Sequence, residues 1–484
     1  MSIAEYLHSE EGKTLEFKQD LSSPRKMLKT LVAFANTAGG RIIIGIEDKT
    51  HKSLGVENPL EEEERLCNLI ADSIRPRLVP NVELTTVDGK TLMVVEVFLS
   101  NSRPHYLRAE GPDAGVYVRL GSTTRQADRE LIAELRRSVE GISFDEMPMV
   151  DLSVEDIDLK AAQQAFAGIR QLDEQTLLNL KLLAHHQNRL VPTKGAILLF
   201  GKERTRHFPD AWFQCGRFFG TTKLDIFDHV ELYGPLTQSV DEVILFLKKH
   251  AFRGADLSQL RRRDTWSIPL GILRELIINA CVHADYSQRG APIRIVFLDD
   301  RIKVENMGIL LPGLTIDDMK RGASRIRNPV IARVFKELRL IEQWGTGVRR
   351  VFAEAQELGL PEPKIEELAL RLRFTIFLGQ LHQLPAPNQA HASLVTEQAT
   401  EYATEQVSEQ VKRLLSILHD QQLGSKEAMT VLRLSHRPTF LYAYLKPALA
   451  DKLVEMTQPL SPKSPTQKYR LTQKGKLLLQ KLKP

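Results

Sequence analysis

In the stretch LRELIINACVHADY, Glu275 and Asn279 stand four residues apart, with His283 four residues further on. That spacing puts the three on one face of a helix, while Leu273, Leu276, Ile277 and Ala280 take the other side. A carboxylate and an amide oxygen one turn apart do complementary work. Glu275 can orient and deprotonate a water, and Asn279 can offer a neutral ligand to a Mg²⁺ ion that bridges phosphates. Taken alone, the pair also describes an ordinary solvated helix face, so the reading turns on residues further along the chain. Downstream, RIKVENMGILLPGL sets Asn306 and Gly308 just after a strand, and IEQWGTGVRRV sets Gly345, Thr346 and Gly347 at the start of a helical pattern. Small residues let backbone N–H groups approach phosphate, and a helix N-terminus adds a favourable dipole.

The elements that must position these residues fall into three blocks of the 484-residue chain, whose composition (42% hydrophobic, 26% charged) suits several globular domains. The expected fold class is α+β and multidomain. The first block, 1–140, reads as a helix opened by Ser23-Pro24 and stopped by Asn36, Gly39 and Gly40, a buried strand RIIIGIE, further strands over 90–99 and 116–120, and a helix over 128–139. Residues 141–152 read as a linker. The second block, 153–378, passes through a strand-like run at 196–200 and a helix at 270–283 to the strand pair 293–298 and 302–305, with its core at 268–363. A stretch rich in Gln, Thr and Ala, 379–407, reads as a tether. The third block, 408–484, carries helices over 411–418, 425–432 and 438–450 and strands at 453–456 and 469–472, the order of a winged helix-turn-helix.

Charge is concentrated at one end. Residues 424–484 hold twelve Lys and Arg against three Asp and Glu, so that this end carries roughly +9 within a formal net charge of +5. In the third block Arg433, His436 and Arg437 stand at the mouth of the expected recognition helix, with Thr439, Tyr442 and Lys446 on its exposed side. Lys463, Ser464, Lys468 and Arg470 sit on the wing, where they would meet flanking phosphates. DNA is the expected partner and a two-fold dimer the expected assembly. The three cysteines, Cys67, Cys215 and Cys281, lack paired spacing and read as core residues. No apolar run reaches the length needed to span a bilayer, which points to the cytoplasm and no membrane partner. The cradle Gly-x-x-x-x-Gly-Lys-Ser/Thr is absent, which excludes a P-loop helicase motor.

Four motifs, ELIINACVHADY, RIKVENMGILLPGLT, SRIRNPVIARVF and LIEQWGTGVRRV, resemble the divergent GHKL-type ATPase domain of AlbA-containing transcriptional regulators, some of which bear a RecG-helicase-related label. The resemblance implies ATP with Mg²⁺ as the ligand and a regulator whose nucleotide occupancy modulates DNA affinity. Glu275 would be the water-activating residue of a weak ATPase and Asn279 the Mg²⁺ ligand. His283 and Asp285 would belong to the same motif, Asn306 and Gly308 would border the adenine pocket, and Gly345, Thr346 and Gly347 would line the phosphates. The sequence departs from the pattern at Ala284, where Arg is expected, at Met307, where Pro is usual, and at Asn306, where a carboxylate would read adenine.

The strings EGKTLEFKQDL, KTLVAFANTAGGRIIIGIED and YVRLGSTT resemble the Schlafen AlbA-type domain. This implies nucleic-acid contact, with Lys18, Arg119, Ser122 and Arg125 against phosphates. Schlafen relatives also include metal-dependent RNA nucleases with a carboxylate triad. Glu11, Glu16 and Asp48 are the residues here that would form one and act on RNA, and Glu16 alternatively reads as a structural partner of a neighbouring Lys.

Overall fold

The run Ile42, Ile43, Ile44 shows no polar alternation because both faces of its strand are covered. In the computed structural model of the chain, β1 (Leu15–Lys18) pairs in parallel with β2 (Gly40–Ile44), which pairs antiparallel with β4 (Lys90–Val97), itself beside β3 (Asn81–Val87). The structure describes residues 3–47, 50–251, 253–256, 263–341, 347–378, 409–419, 421–432, 434, 440–450, 453–458 and 467–482. One face of β2 packs Ile42 and Ile44 with Met93 and Val95 under the helix α1 (Pro24–Thr37), and the other packs Ile43 with Phe17, Leu92 and Val94. A hairpin of β5 (Tyr117–Leu120) and β6 (Thr123–Gln126) leads into α2 (Arg129–Glu140), whose first turn is capped by the Asp128 carboxylate.

Gly39 does end α1, at φ +74°, with its N–H on the Phe34 carbonyl at 2.8 Å. Asn36 has another task. It is fully buried, donates to the His105 and Tyr117 carbonyls and accepts from the His105 N–H, so it cross-links three segments and does not terminate the helix.

In the second block the apolar run at 196–200 forms a helix, α3 (Lys194–Phe200), where a strand is expected. Thr193 caps it, and every residue from 195 to 200 is buried. A helix enclosed on all sides loses the 3.6-residue polar signature, so the run looks like a buried strand. Then come β7 (Phe213–Phe219), β8 (Asp225–Leu232), α4 (Leu236–His250), α5 (Leu270–His283), β9 (Ile293–Phe297), β10 (Arg301–Met307), α6 (Pro329–Glu337), α7 (Gly347–Glu357), β11 (Lys364–Leu368) and β12 (Arg371–Phe377). The strands make one six-stranded sheet in the order β8-β7-β9-β10-β12-β11, parallel only between β7 and β9. Ile295, Ile302, Val304, Phe374 and Ile376 point to one face and join the core with α4, α5, α6 and α7. Cys215 and Cys281 are buried in this region, whereas Cys67 is exposed, contrary to its reading as a core residue.

The chain divides into two compact units, Met1–His382 and Gln383–Pro484. Within the second unit, α8 (Glu409–Ile417), α9 (Ser425–Val431), a π-helical turn at Phe440–Leu445 that runs into α10 (Lys446–Ala450), and α11 (Gln473–Leu482) surround a small sheet. Its strands β13 (Leu423–Gly424), β14 (Val454–Met456) and β15 (Lys468–Leu471) are ordered β13-β15-β14, over a core that includes Leu414, Leu415, Phe440 and Leu471. The sequence pattern anticipates neither the strand β13 nor the final helix. Among the described residues, no helix is long and apolar enough to cross a membrane.

The segment 141–152 is integral to the first unit and not a free linker. Its Asp145 is fully buried, and one carboxylate oxygen accepts the N–H groups of Val330 (2.7 Å) and Ile331 (3.0 Å), capping α6 from far away in sequence. The other oxygen has no hydrogen-bond partner. Burial pushes this carboxyl up to about 7, against the opposing pull of the two N–H bonds. The folded protein therefore holds the proton more tightly than the unfolded chain, whose Asp titrates near ~4. The stability it contributes is present in acid and is lost as pH rises through about 7. Asp145→Asn should remove this dependence: between about pH 5 and about pH 8 the melting temperature of the wild type should fall relative to that of the variant. Parallel thermal profiles for the two proteins would contradict the assignment.

Candidate functional site

Helix α5 is buried on nearly every side, with Ile272, Leu273, Leu276, Ile277, Ile278 and Cys281 in the core. Apart from Arg274, which pairs with Asp241 at 2.8 Å, its glycine and polar residues form a stripe at four-residue intervals: Gly271, Glu275, Asn279 and His283. The Asn279 amide donates to the Glu275 carboxylate at 3.2 Å, and the Arg350 guanidinium lies 3.8 Å from that carboxylate. Helix α7 crosses this stripe closely. A Cβ built at Gly347 would overlap the Glu275 carboxylate, and one built at Gly271 would come within 2.7 Å of the Glu354 carboxylate. Each helix thus lends a glycine to admit a glutamate of the other.

The stripe opens into a cavity of about 580 Å³. Glu275, Asn279 and His283 line one wall, and Asn306 and Gly308 at the end of β10 line the next. Leu276, Ile309, Leu314, Leu372 and Phe374 supply an apolar surface, and Gly347 stands at the rim. Six of the sequence-derived residues, Glu275, Asn279, His283, Asn306, Gly308 and Gly347, therefore converge. Gly345 and Thr346 lie outside the described residues. Asp285 does not line this cavity: it is buried behind it, its carboxylate held by Ser287. Burial, reinforced by the Arg327 charge, lowers the His283 imidazole to about 4, so it meets the cavity as a neutral hydrogen-bonding ring.

Sequence reasoning passed over the cations. Arg325, Arg327, Arg333 and Lys336 all border the cavity, from the loop before α6 and from α6 itself. Their signal was the spacing within RIRNPVIARVFK, which reads equally well as a solvated helix face. Arg327 is the most constrained of the four. Only 5% of its side chain is exposed; it pairs with Glu134 of α2 and donates to the Ile309 carbonyl, with Asp285 3.9 Å away. Gly308, at φ +109°, makes room for it: a Cβ there would lie 3.1 Å from the Asp285 Cβ and 3.2 Å from the Arg327 guanidinium carbon. Next to it, the Asn328 amide donates to the carbonyls of Val282 (2.9 Å) and Ala284 (2.7 Å), closing the end of α5.

Comparison with known families matches residues 11–128 to the Schlafen, AlbA_2 model and residues 290–376 to HATPase_c_4, described for the ATP-dependent DNA helicase recG C-terminal region. The chain joins a Schlafen AlbA_2 domain to a RecG-type HATPase domain. Residues 409–472 further match the C-terminal domain of Fic-like proteins, named for filamentation induced by cAMP. Among solved structures, one from Corynebacterium diphtheriae aligns over 97% of this chain and 94% of its own at 19% identity, with a TM-score of 0.42. The N-terminal domain of a RecG-related protein from Nitrosomonas europaea covers 26% of this chain and 90% of its own at 26% identity, with a TM-score of 0.21. A Fic family protein from Desulfovibrio desulfuricans G20 covers 72% and 77% at 18% identity, with a TM-score of 0.15. No curated protein matches the chain.

In the AlbA_2 domain the expected phosphate contacts separate into two kinds. Ser122 and Arg125 are exposed on the hairpin between β5 and β6. Arg119 is 1% exposed and is spent on the protein itself, pairing with Glu16, donating to the Gly12 carbonyl at 3.0 Å and to the Thr124 hydroxyl at 3.1 Å, so it is withdrawn from any phosphate. Lys18 pairs with Glu16 at 2.6 Å. Glu16 is therefore the structural partner of two cations, and the Glu11 carboxylate accepts the Phe17 N–H at 2.8 Å. Asp48, the third carboxylate of the nuclease reading, lies outside the described residues. Among the described residues no group of three His, Cys, Asp or Glu is placed to hold a metal ion. In the C-terminal unit Lys468 and Arg470 are exposed on β15, Arg470 against Glu455 at 2.7 Å. Arg433, His436, Arg437, Thr439, Lys463 and Ser464, and the side chains of Tyr442 and Lys446, are outside the described residues.

The AlbA_2 and HATPase segments meet through Lys13 and Glu367 at 2.8 Å and the Gly313 N–H on the Thr37 carbonyl at 2.6 Å, and α2, just past the AlbA_2 match, adds the pair of Glu134 with Arg327. Removing one partner of a buried ion pair leaves the other charge stranded, at a cost of about 3–5 kcal/mol. Glu134→Ala should lose stability on that scale in denaturant unfolding, and Glu134→Gln, which keeps an acceptor for the guanidinium, should lose less. Equal and negligible losses in both variants would rule out this pair as a structural link.

Proposed function

We propose that the cavity is a Mg·ATP site of the GHKL type, and that its occupancy controls nucleic-acid binding by the flanking domains, the whole acting as a DNA-binding transcriptional regulator. The observation that carries this reading is the Glu275, Asn279, His283 stripe opening into a cavity of about 580 Å³ with a cationic border. That volume falls in the range of small-ligand sites, about 300–1,000 Å³.

The residues present fit the ligand. Asn279 spends its amide nitrogen on Glu275, which leaves its carbonyl oxygen as the neutral oxygen ligand that Mg²⁺ accepts. Arg325, Arg333 and Lys336 are positioned to neutralise phosphates, while the apolar wall of Ile309, Leu372 and Phe374 suits a base. Gly347, at the start of the described part of α7, brings that backbone close against Glu275. The magnesium, when bound, supplies charge neutralisation at the phosphates. Glu275 is the sole carboxylate among the described lining residues, so any activation of water falls to it.

Support for the nucleic-acid half comes from the AlbA_2 match, from the RecG-type match, and from a C-terminal unit whose helix, strand, helix, helix, strand, strand order is that of a winged helix. Arg327 touches the cavity and holds Glu134 of α2, the helix that follows the AlbA_2 segment, so a phosphate that draws on Arg327 competes directly with that pair.

Titration calorimetry with ATP, ADP and a non-hydrolysable analogue in excess Mg²⁺ tests the reading. Binding should weaken about tenfold or more in Asn279→Ala, a loss of about 1.4 kcal/mol, while Glu275→Gln should keep binding and lose whatever turnover the wild type has. The absence of heat from all three nucleotides would overturn the proposal.

A further inference from the structure

Strand alternation gives the HATPase sheet a second face. Along β10 the residues Ile302, Val304 and Asn306 look toward the helices and the cavity, so Arg301, Lys303 and Glu305 look the other way. The cross-strand register lines up Arg294 of β9 and Arg373 of β12 on either side of Glu305, with Arg371 beside Met307 one pair further on. Lys223, from the loop before β8, reaches the same carboxylate at 3.4 Å, and Arg373 reaches it at 2.8 Å.

Six cations, Lys223, Arg294, Arg301, Lys303, Arg371 and Arg373, thus surround Glu305 and Asp300, while Glu366 of β11, opposite Arg373, is itself paired with a seventh cation, Lys364, at 2.7 Å. Their side chains are reachable by solvent: Arg373, Arg371, Arg301 and Lys223 are 25% to 43% exposed, and Arg294 and Lys303 are half-buried. Crowding is felt at two of them. Burial and the neighbouring charges of Arg373, Lys223 and Arg301 lower the Lys303 ammonium, and burial with Arg294 does the same at Arg371. Unbalanced like charges on adjacent strands oppose folding, and the protein's own residues supply too few anions to compensate.

We propose that this face of the sheet is a docking platform for the phosphate backbone of a nucleic acid. The occupant must be a polyanion, because the surplus charge spans β9, β10 and β12. It must also bind mainly through charge, since no large exposed hydrophobic residue comes from these three strands, and Leu224 and Ile226 are confined to the edge beside Lys223. That argues against a protein interface, whose core is apolar and aromatic, and against a bilayer, which needs inserted side chains. The platform and the ATP cavity are two sides of one partition, because Glu305 faces the cations and Asn306 faces the cavity. Binding here reads charge and not sequence.

The test is fluorescence polarisation of the full chain with single-stranded DNA, duplex DNA and single-stranded RNA of mixed sequence, titrated from about 50 to about 200 mM salt. In the double variant Arg294→Ala, Lys303→Ala, affinity for at least one of the three should fall tenfold or more. The slope of log affinity against log salt should shrink by about 1.4–1.8, the share of two phosphate contacts. Lys303→Arg should retain both. Circular dichroism and an unchanged response to Mg·ATP establish that the double variant is folded, and they separate this platform from the nucleotide site. Unaltered affinity and slope for all three nucleic acids in the folded double variant would overturn the proposal. So would an effect confined to acidic peptides or anionic vesicles. Should the double variant fail to fold, Arg371→Ala alone must reduce the slope by about 0.7–0.9, and an unchanged slope there would equally overturn it.

Discussion

A guanidinium taken out of water has to be matched by carboxylate and carbonyl oxygen, and in this protein the match is made across a domain boundary. Arg327 comes from the HATPase domain, Glu134 from helix α2, which follows the AlbA_2 match, and Asp285 from the turn after α5. Burial on its own would lower the Arg327 pKa, yet the Glu134 and Asp285 charges overcome it and hold the guanidinium firmly protonated. Glu134 feels the same burial, and it is raised even with Arg327 against it. Neither group is tolerable without the other. Much depends on this arrangement: the positive φ of Gly308, the turn at Asp285, the position of α2, and one wall of the cavity.

The second organising device is helix α5. It carries one polar stripe among apolar neighbours, and each stripe residue has a different assignment. Gly271 and Glu275 set the approach of α7, Asn279 offers an oxygen to the cavity, and His283 remains neutral beside Arg327. Asn328 then fixes the far end of α5 by satisfying two of its last carbonyls. The sheet completes the site through strand alternation, which puts Asn306, Leu372 and Phe374 on the cavity side.

How much of this the sequence disclosed depended on whether the signal was local. The helix at 270–283 is legible because its polar positions recur every four residues, and β2 is legible because three isoleucines in a row have few alternatives. The helix at Lys194–Phe200 is not, because complete enclosure erases periodicity. The segment around Asp145 has the composition of a linker, and only its partners at Val330 and Ile331 reveal a cap. Arg119 looks like a phosphate ligand until its partners at Gly12, Glu16 and Thr124 are seen. Arg327 was the least legible of all. It sits among other basic residues in a short stretch, and the group that gives it meaning lies 193 residues away.

The reciprocal glycines of α5 and α7 bear on how this protein could be altered. Each helical residue advances the chain by about 100° around the axis. A single insertion between Gly271 and Glu275, or between Gly347 and Glu354, would rotate one glycine out of line and bring a side chain against a carboxylate. The two helices behave like a tongue and groove cut to one registration. Changes of length are therefore admissible in the connections around them, while the stretch between each glycine and its own glutamate has a fixed pitch.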